Sequence, residues 1–362
     1  MIHYVVPADW AFTIRVYMEV YGEPLREHLT PVTYRELARR GALPAGGYVF
    51  TGHERLTPGE RRLASQMARA LEDAAPGAPL LNRPRRPLGR GALLEALYEE
   101  GVNSFRAVPA AEAPGPLRYP VFVREERRHS GNLTGLLAGP GELERSLRRL
   151  RWLGFDPDRL LVVEHRDTAD ARGAYRKYAA YVIGDEIVPK AVRFSDHWMV
   201  KAGDGAWTEE RVAEEEAYLR ANPHADRLRE VARLARVDYG RFDYAVGEEG
   251  LEIWEINTNP TVGPRSADPD ERSSRDRFWH LRQPGKRLFR QRFRRAWAAL
   301  DARARGSSAE APYTPDRALH LRVWGERRLR TAGELLRAVV GRVGPLPLSG
   351  SGQAAGGAAS GG

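Results

Sequence analysis

Residues 240–260 read GRFDYAVGEEGLEIWEINTNP, and how this stretch folds decides the rest. Two β-type runs flank a polar turn. In the first, Arg241 to Val246, side chains alternate, so Phe242, Tyr244 and Val246 share one face and Arg241, Asp243 and Ala245 the other. In the second, Leu251, Ile253, Glu255 and Asn257 share a face. Glu248-Glu249-Gly250 reads as a three-residue hairpin loop, with Gly250 supplying the positive φ that its last position needs. That register sets Val246 opposite Glu252, Asp243 opposite Glu255 and Arg241 opposite Asn257. Two carboxylates with Cβ atoms about 4.5–5.5 Å apart repel unless something positive lies between them. A divalent cation with oxygen ligands meets that need, and magnesium takes one or two carboxylates together with phosphate oxygens and water. The competing reading is an exposed hairpin face with solvated acids.

Arg241-Phe242-Asp243 followed by Glu255-Ile256-Asn257-Thr258-Asn259-Pro260 resembles the paired signature of ATP-grasp enzymes. The resemblance implies that Asp243, Glu255 and Asn257 hold magnesium (or manganese) on ATP. It also implies that Arg241, with Arg193 on an earlier strand, meets the transferred phosphoryl or acyl-phosphate group. Tyr119 to Arg124 (YPVFVR) reads as a strand, and a glycine-containing segment with Gly131 and Gly135 follows it. This resembles the strand and mobile loop that close over ATP phosphates, for which freed backbone N–H groups are suited. The family commonly has lysine at the strand end; here it is Arg124, which keeps the charge in a planar fork. Leu160 to Arg166 (LLVVEHR) resembles the hinge strand, which implies that Glu164 and His165 face adenine, with Asp167 or Asp170 near the ribose. Lys177 and Lys201 complete the set of nucleotide-contacting candidates. On residue type alone, His165 reads as a structural histidine, and the segment around Arg124 as a basic surface hairpin.

The 362 residues are 42% hydrophobic and 29% charged, without cysteine, which suits a soluble globular chain of two or three domains and excludes disulfides and thiol catalysis. No apolar run is long enough to span a bilayer, and the first residues lack a secretory pattern, so no membrane partner and a cytoplasmic location are expected. The net charge is +9, carried almost wholly by arginine. Such a balance suits anionic ligands, nucleic acid or a membrane surface. The only lysines are Lys177, Lys190, Lys201 and Lys286, and three of them fall between Tyr175 and Lys201, where the resemblance places nucleotide contacts.

The expected fold class is α/β (α+β): an ATP-grasp fold with an N-terminal α/β domain of the pre-ATP-grasp kind and a helical C-terminal extension. The expected boundaries are 1–112 for the front domain, 116–300 for the ATP-grasp domain, 301–347 for the extension and 348–362 for a disordered Gly/Ser/Ala tail. Ile2–Val6 and Tyr48–Phe50 read as strands in the front domain. Thr57-Pro58-Gly59-Glu60 opens a helix by a capping box, Arg90–Glu100 forms another, and Ala110–Pro116 is the connector. Thr208–Arg220 reads as an acidic exposed helix. Pro284 is expected to break or kink the helical region 275–305, whose aromatics leave room for a homodimer. A further helix is expected over 314–343.

The function implied is an ATP- and magnesium-dependent ligase. It activates a small-molecule or peptide carboxylate as an acyl phosphate and joins it to an amine. An ATP-grasp-like phosphotransferase without ligation is the alternative. A basic nucleic-acid-binding protein ranks well behind, because amphipathic helices docking on the body explain the arginines more simply.

Overall fold

In the first sheet the middle strands are apolar on both faces, because both faces are covered. β1 (Ile2–Val6) lies between β2 (Leu29–Thr33) and β4 (Gly47–Phe50), and β5 (Leu80–Leu81) adds to β4; all pairs are parallel. A short β3 (Ala42–Leu43) stands apart. α1 (Phe12–Tyr21) lies on one face, and α2 (Tyr34–Ala38) and α3 (Pro58–Ala74) on the other. The capping box of α3 forms as read: Thr57 Oγ1 accepts from the Glu60 amide at 3.2 Å, and the Glu60 carboxylate from the Thr57 amide at 2.9 Å. This is a computed structural model; it describes residues 1–113, 116–127, 131–201, 205–263, 278–306, 310–314, and 319, 323, 325 and 326.

α4 (Arg90–Glu99) comes next, then β6 (Ala107–Pro109), β7 (Val121–Glu125), α5 (Pro140–Trp152) and β8 (Leu160–Glu164). The three strands form an antiparallel sheet in the order β6-β8-β7. Alternation splits its faces. Val121, Val123, Leu160 and Val162 meet Leu143 and Leu150 of α5, whereas Phe122, Leu161 and Val163 meet Leu93, Leu94 and Leu97 of α4. The chain therefore leaves the first sheet before residue 90, upstream of the Ala110–Pro116 connector. α4 and β6, placed by the sequence reading within 1–112, pack with the later strands.

The third layer is a four-stranded antiparallel sheet, ordered β10-β9-β11-β12. Its strands are β9 (Tyr175–Ile183), β10 (Glu186–Ser195), β11 (Tyr239–Gly247) and β12 (Gly250–Asn257), with α6 (Glu209–Ala221) and α7 (Ala225–Ala235) between β10 and β11. α6 is not wholly exposed. Val212, Glu215, Tyr218 and Leu219 are buried, and Glu215 pairs with Arg282 at 2.7 Å.

The last described elements are α8 (Phe278–Leu281), α9 (Gln283–Ala304) and β13 (Ala311–Pro312), which pairs with β3. Pro284 marks the expected break: α8 ends at Leu281 and α9 begins at Gln283. It stands in the first turn of α9, where its missing N–H costs nothing. The helix docks on the body, as its amphipathic pattern predicts. Phe289, Phe293 and Trp297 are buried among Ile2, Tyr4, Tyr181 and Tyr239, so α9 joins the first sheet to the third. The expected 314–343 helix, most of the 301–347 extension and the 348–362 tail lie outside the described residues.

Candidate functional site: a charged face at the β11–β12 hairpin

The far end of the hairpin has the register read from sequence: Arg241 opposes Asn257, and Asp243 opposes Glu255. The near end differs. Val246 opposes Leu251, not Glu252; Gly247 pairs with Gly250; and only Glu248 and Glu249 form the loop. The odd residue is taken up as a bulge at Trp254, between the Tyr244–Ile253 and Asp243–Glu255 pairs. A two-residue loop plus a bulge gives the same far register as a three-residue loop.

Cross-strand partners share a face. β9 sets Ala179 beside Asp243, and Lys177 opposes Arg193 on β10. One face of this sheet thus carries Lys177, Arg193, Arg241, Asp243, Glu255 and Asn257, while Phe242 and Tyr244 are buried beneath it. Arg241 grips Asp243 with both arms of its fork, Nε to Oδ1 at 2.7 Å and Nη2 to Oδ2 at 3.1 Å. Lys177 Nζ stands 3.8 Å from Asp243 Oδ2 and donates to the Val200 carbonyl at 2.7 Å. Burial pulls the Lys177 ammonium below its usual range; Asp243 opposes this, and Arg193 and Arg241 add to it.

Glu255 is approached from the other layers, at 3.0 Å by Arg90 and at 3.4 Å by Arg124 at the end of β7. Burial, reinforced by Arg90, pushes the Arg124 guanidinium down to about 10. The sequence reading missed Arg90. Its guanidinium also donates to the Glu125 and Glu126 carbonyls at 3.0 and 2.7 Å, pinning α4 to β7 and to the hairpin. One signal was present: a cation in the first turn of a helix opposes the dipole, so it needs another reason to be there.

Lys190 was also missed. It sits at a second bulge, between Pro189 and Ala191 of β10, which removes it from the strand alternation. Its ammonium donates to the Val262 carbonyl and lies 4.5 Å from the Phe289 ring centre. Burial, with Arg241 and Arg193 nearby, pushes it down to about 7.

Six cations (Arg90, Arg124, Lys177, Lys190, Arg193, Arg241) therefore surround two carboxylates. The like charges of Asp243 and Glu255 are balanced by the protein's own arginines, and the remaining positive excess suits a polyphosphate. The donor set fits magnesium in that setting. Two opposed carboxylates and the Asn257 amide oxygen are hard oxygen ligands, and that oxygen also accepts from the Asn259 amide at 2.9 Å. Among the described residues no group of three or more Asp, Glu, His or Cys could hold a metal by itself, so phosphate oxygens would complete the shell.

The remaining expected residues lie around this face. Glu164 is buried, and its carboxylate is already engaged. It accepts from the Arg106 and Arg118 amides at 3.0 and 2.8 Å and from the Arg118 guanidinium at 2.9 Å. His165 is set edge-on to Trp198, ring centres 5.2 Å apart, and Trp198 stands 5.2 Å from Phe122. Burial holds the His165 imidazole below its usual range. The segment 196–201 thus lies against β7 and β8, with Lys201 exposed at its end. Gly131 takes φ +94°. Asp170 pairs with Arg176 at 2.6 Å.

After Asn257 the chain anchors on the first sheet. The Thr258 hydroxyl accepts from the Gly52 amide at 3.2 Å and donates to Glu54 at 3.1 Å. Asn259 accepts from Thr13 at 2.8 Å and from Tyr4 at 3.2 Å. A cleft of about 620 Å³ opens there, lined by His53, Glu54, Arg61, Arg90, Glu255 and Thr258 among others.

No protein-family model matches the chain, and no curated protein matches it. Among solved structures it is similar to a D-alanine–D-alanine ligase from Bacillus anthracis (13% identity, 81% of this chain and 98% of that one, TM-score 0.40). It is also similar to a RimK domain ATP-grasp protein from Sphaerobacter thermophilus (17%, 79% and 99%, 0.42). A third is the ATP-grasp ligase PsnB, solved with a precursor variant, Mg and ADP (14%, 84% and 97%, 0.41). These three are ATP-grasp ligases, and each is matched over about four-fifths of this chain.

Proposed function

We propose that the protein is an ATP-dependent ligase that activates a carboxylate as an acyl phosphate and joins it to an amine. The observation that carries this reading is the opposed pair Asp243 and Glu255, set on one face with Arg241, Lys177 and Arg193 and met from above by Arg124. A substrate carboxylate oxygen attacks the γ-phosphorus of ATP, the bond to the bridging oxygen breaks, and ADP leaves. The amine then attacks the acyl carbon, phosphate departs with the C–O bonding pair, and the amine proton passes to solvent. Phosphoryl transfer of this kind asks the protein mainly for positioning and charge neutralisation. Asp243, Glu255 and Asn257 would hold the magnesium, which neutralises phosphate charge when bound. Arg241 and Arg193 face the transferred group, and Arg124 and Lys177 hold the phosphate chain. The rings of His165 and Trp198, packed together with Phe122 beneath Trp198, would offer flat surfaces to a base.

The test is thermal unfolding with and without ATP and magnesium, for the wild type and for the Asp243→Asn/Glu255→Gln variant. A ligand at a hundred times its Kd adds about 2.7 kcal/mol to the folded state. A magnesium-dependent rise in Tm that the double variant loses is the expected result. An equal rise in both proteins removes the hairpin from the site.

A further inference from the structure

The cleft that reaches Glu255 does not end at the hairpin. It runs past the first turn of α3 and the segment 85–90, where it shares Arg62 and Arg85 with a second hollow of about 290 Å³. That hollow is completed by Ser65, Gln66, Arg69 and Leu319. The two form one trough whose described lining carries Arg61, Arg62, Arg69, Arg85, Arg90 and Arg127. Its acids are occupied. Glu255 pairs with Arg90 and Arg124, Glu54 accepts from Thr258 and pairs with Arg55 at 3.3 Å, and Glu126 lies 4.0 Å from Arg127.

By contrast, among the described residues Arg61, Arg62, Arg69 and Arg85 have no carboxylate within ion-pair distance. Burial, then repulsion from Arg127 and Arg85, holds the Arg61 guanidinium below its usual range. Cations gathered unpaired in a concave wall raise the local potential and attract polyanions. Guanidinium forks match carboxylates two-to-two. Among the described lining residues there is no phenylalanine, tyrosine or tryptophan, and His53 is the one aromatic ring, so guanidinium groups outnumber the stacking surfaces that single-stranded nucleic acids use. Arg62 and Arg69 stand two turns apart on α3, about 10 Å along the axis, the reach of about three extended residues.

From this geometry we infer that the trough binds an acidic peptide segment, whose carboxylates lie along Arg69, Arg62, Arg85 and Arg61 and whose leading carboxyl group reaches Glu255. The substrate class is thus a peptide with successive Glu or Asp side chains. The activation step rests on the ligase reading above; the binding step does not.

A fluorescein-labelled oligoglutamate, titrated with the full chain without nucleotide and followed by anisotropy, tests the binding. The wild type should bind it, more weakly as salt rises. Arg62→Gln/Arg69→Gln should weaken binding about tenfold, whereas Arg148→Gln/Arg149→Gln, on the exposed face of α5, should not. With ATP and magnesium, the α3 variant should raise KM for oligoglutamate and leave kcat unchanged. Equal binding by wild type and α3 variant overturns the inference, as does equal binding of oligolysine, or tighter binding of single-stranded RNA of matched charge. Arg62-dependent peptide binding without a magnesium–ATP shift would sink the ligase reading alone. A magnesium–ATP shift with peptide binding that ignores Arg62 and Arg69 would sink this one alone.

Discussion

Asp243 and Lys190 occupy neighbouring parts of the charged face, but they answer to different experiments. Asp243 is held by Arg241 and Lys177 and has no other evident task, so Asp243→Asn should leave the fold intact. On the ligase reading it should cut ADP release by at least about a hundredfold, the scale at which one preorganised electrostatic contact acts; near-normal turnover would remove Asp243 from the metal site. Lys190 bears on stability. Its folded-state pKa lies near 7, below the 10.5 of an ordinary lysine. Between these values the unfolded chain binds the extra proton, so this group's destabilisation is full below about pH 7 and fades as pH rises toward 10. Without nucleotide or metal, Lys190→Met should therefore raise Tm relative to wild type most at pH 6, with the gap closing by pH 10. A gap independent of pH would show that Lys190 is not titrating as described.

Elements are joined here by amides that imitate strands. Asn103 accepts from the Ile253 amide at 2.8 Å and donates to its carbonyl at 3.0 Å, completing the outer edge of β12. Asn82, at φ +51°, accepts from the Asp238 and Tyr239 amides at 2.8 and 3.0 Å and donates to the Tyr239 carbonyl at 2.6 Å. Both asparagine side chains are buried, and an orphaned buried polar group costs about 1–3 kcal/mol. Asn103→Ala strands two such groups and should lower unfolding free energy by about 2–5 kcal/mol in a urea titration. A loss under ~0.5 kcal/mol would mean that water replaces the side chain there. The hairpin illustrates what sequence gives at this scale. Alternation set Asp243 opposite Glu255, but the split between loop and bulge was not readable, because both solutions use the same number of residues.

At the scale of the molecule, α9 joins the first sheet to the third. Trp297 is wholly buried against Tyr4 and Tyr239, with ring centres 6.2 and 5.3 Å away. Asp301 on the same helix is buried beside the Met1 amino group and His28. Trp297→Ala should cost about 3–5 kcal/mol and lower Tm for the whole protein in one transition. Unfolding of one sheet without the other would show that α9 does not couple them. Among the described residues no helix is long and apolar enough to cross a membrane.

Period-two alternation, a capping box and the placing of Asp, Glu, Asn and Arg on the hairpin are local facts, and the sequence by itself determined them. It determined the strands read at 2–6, 48–50 and from 160 onward for the same reason, since runs of β-branched and aromatic residues have few other ways to be buried. The tertiary structure alone decided which cations meet the two carboxylates. Arg90 and Arg124 reach Glu255 across 165 and 131 residues of chain, and no local pattern encodes such a separation. It also decided where the apolar face of the arginine-rich helix near the end is buried. Amphipathic spacing says that a face is apolar, but not what covers it; here the cover is the junction of two sheets, which exists only once both have formed.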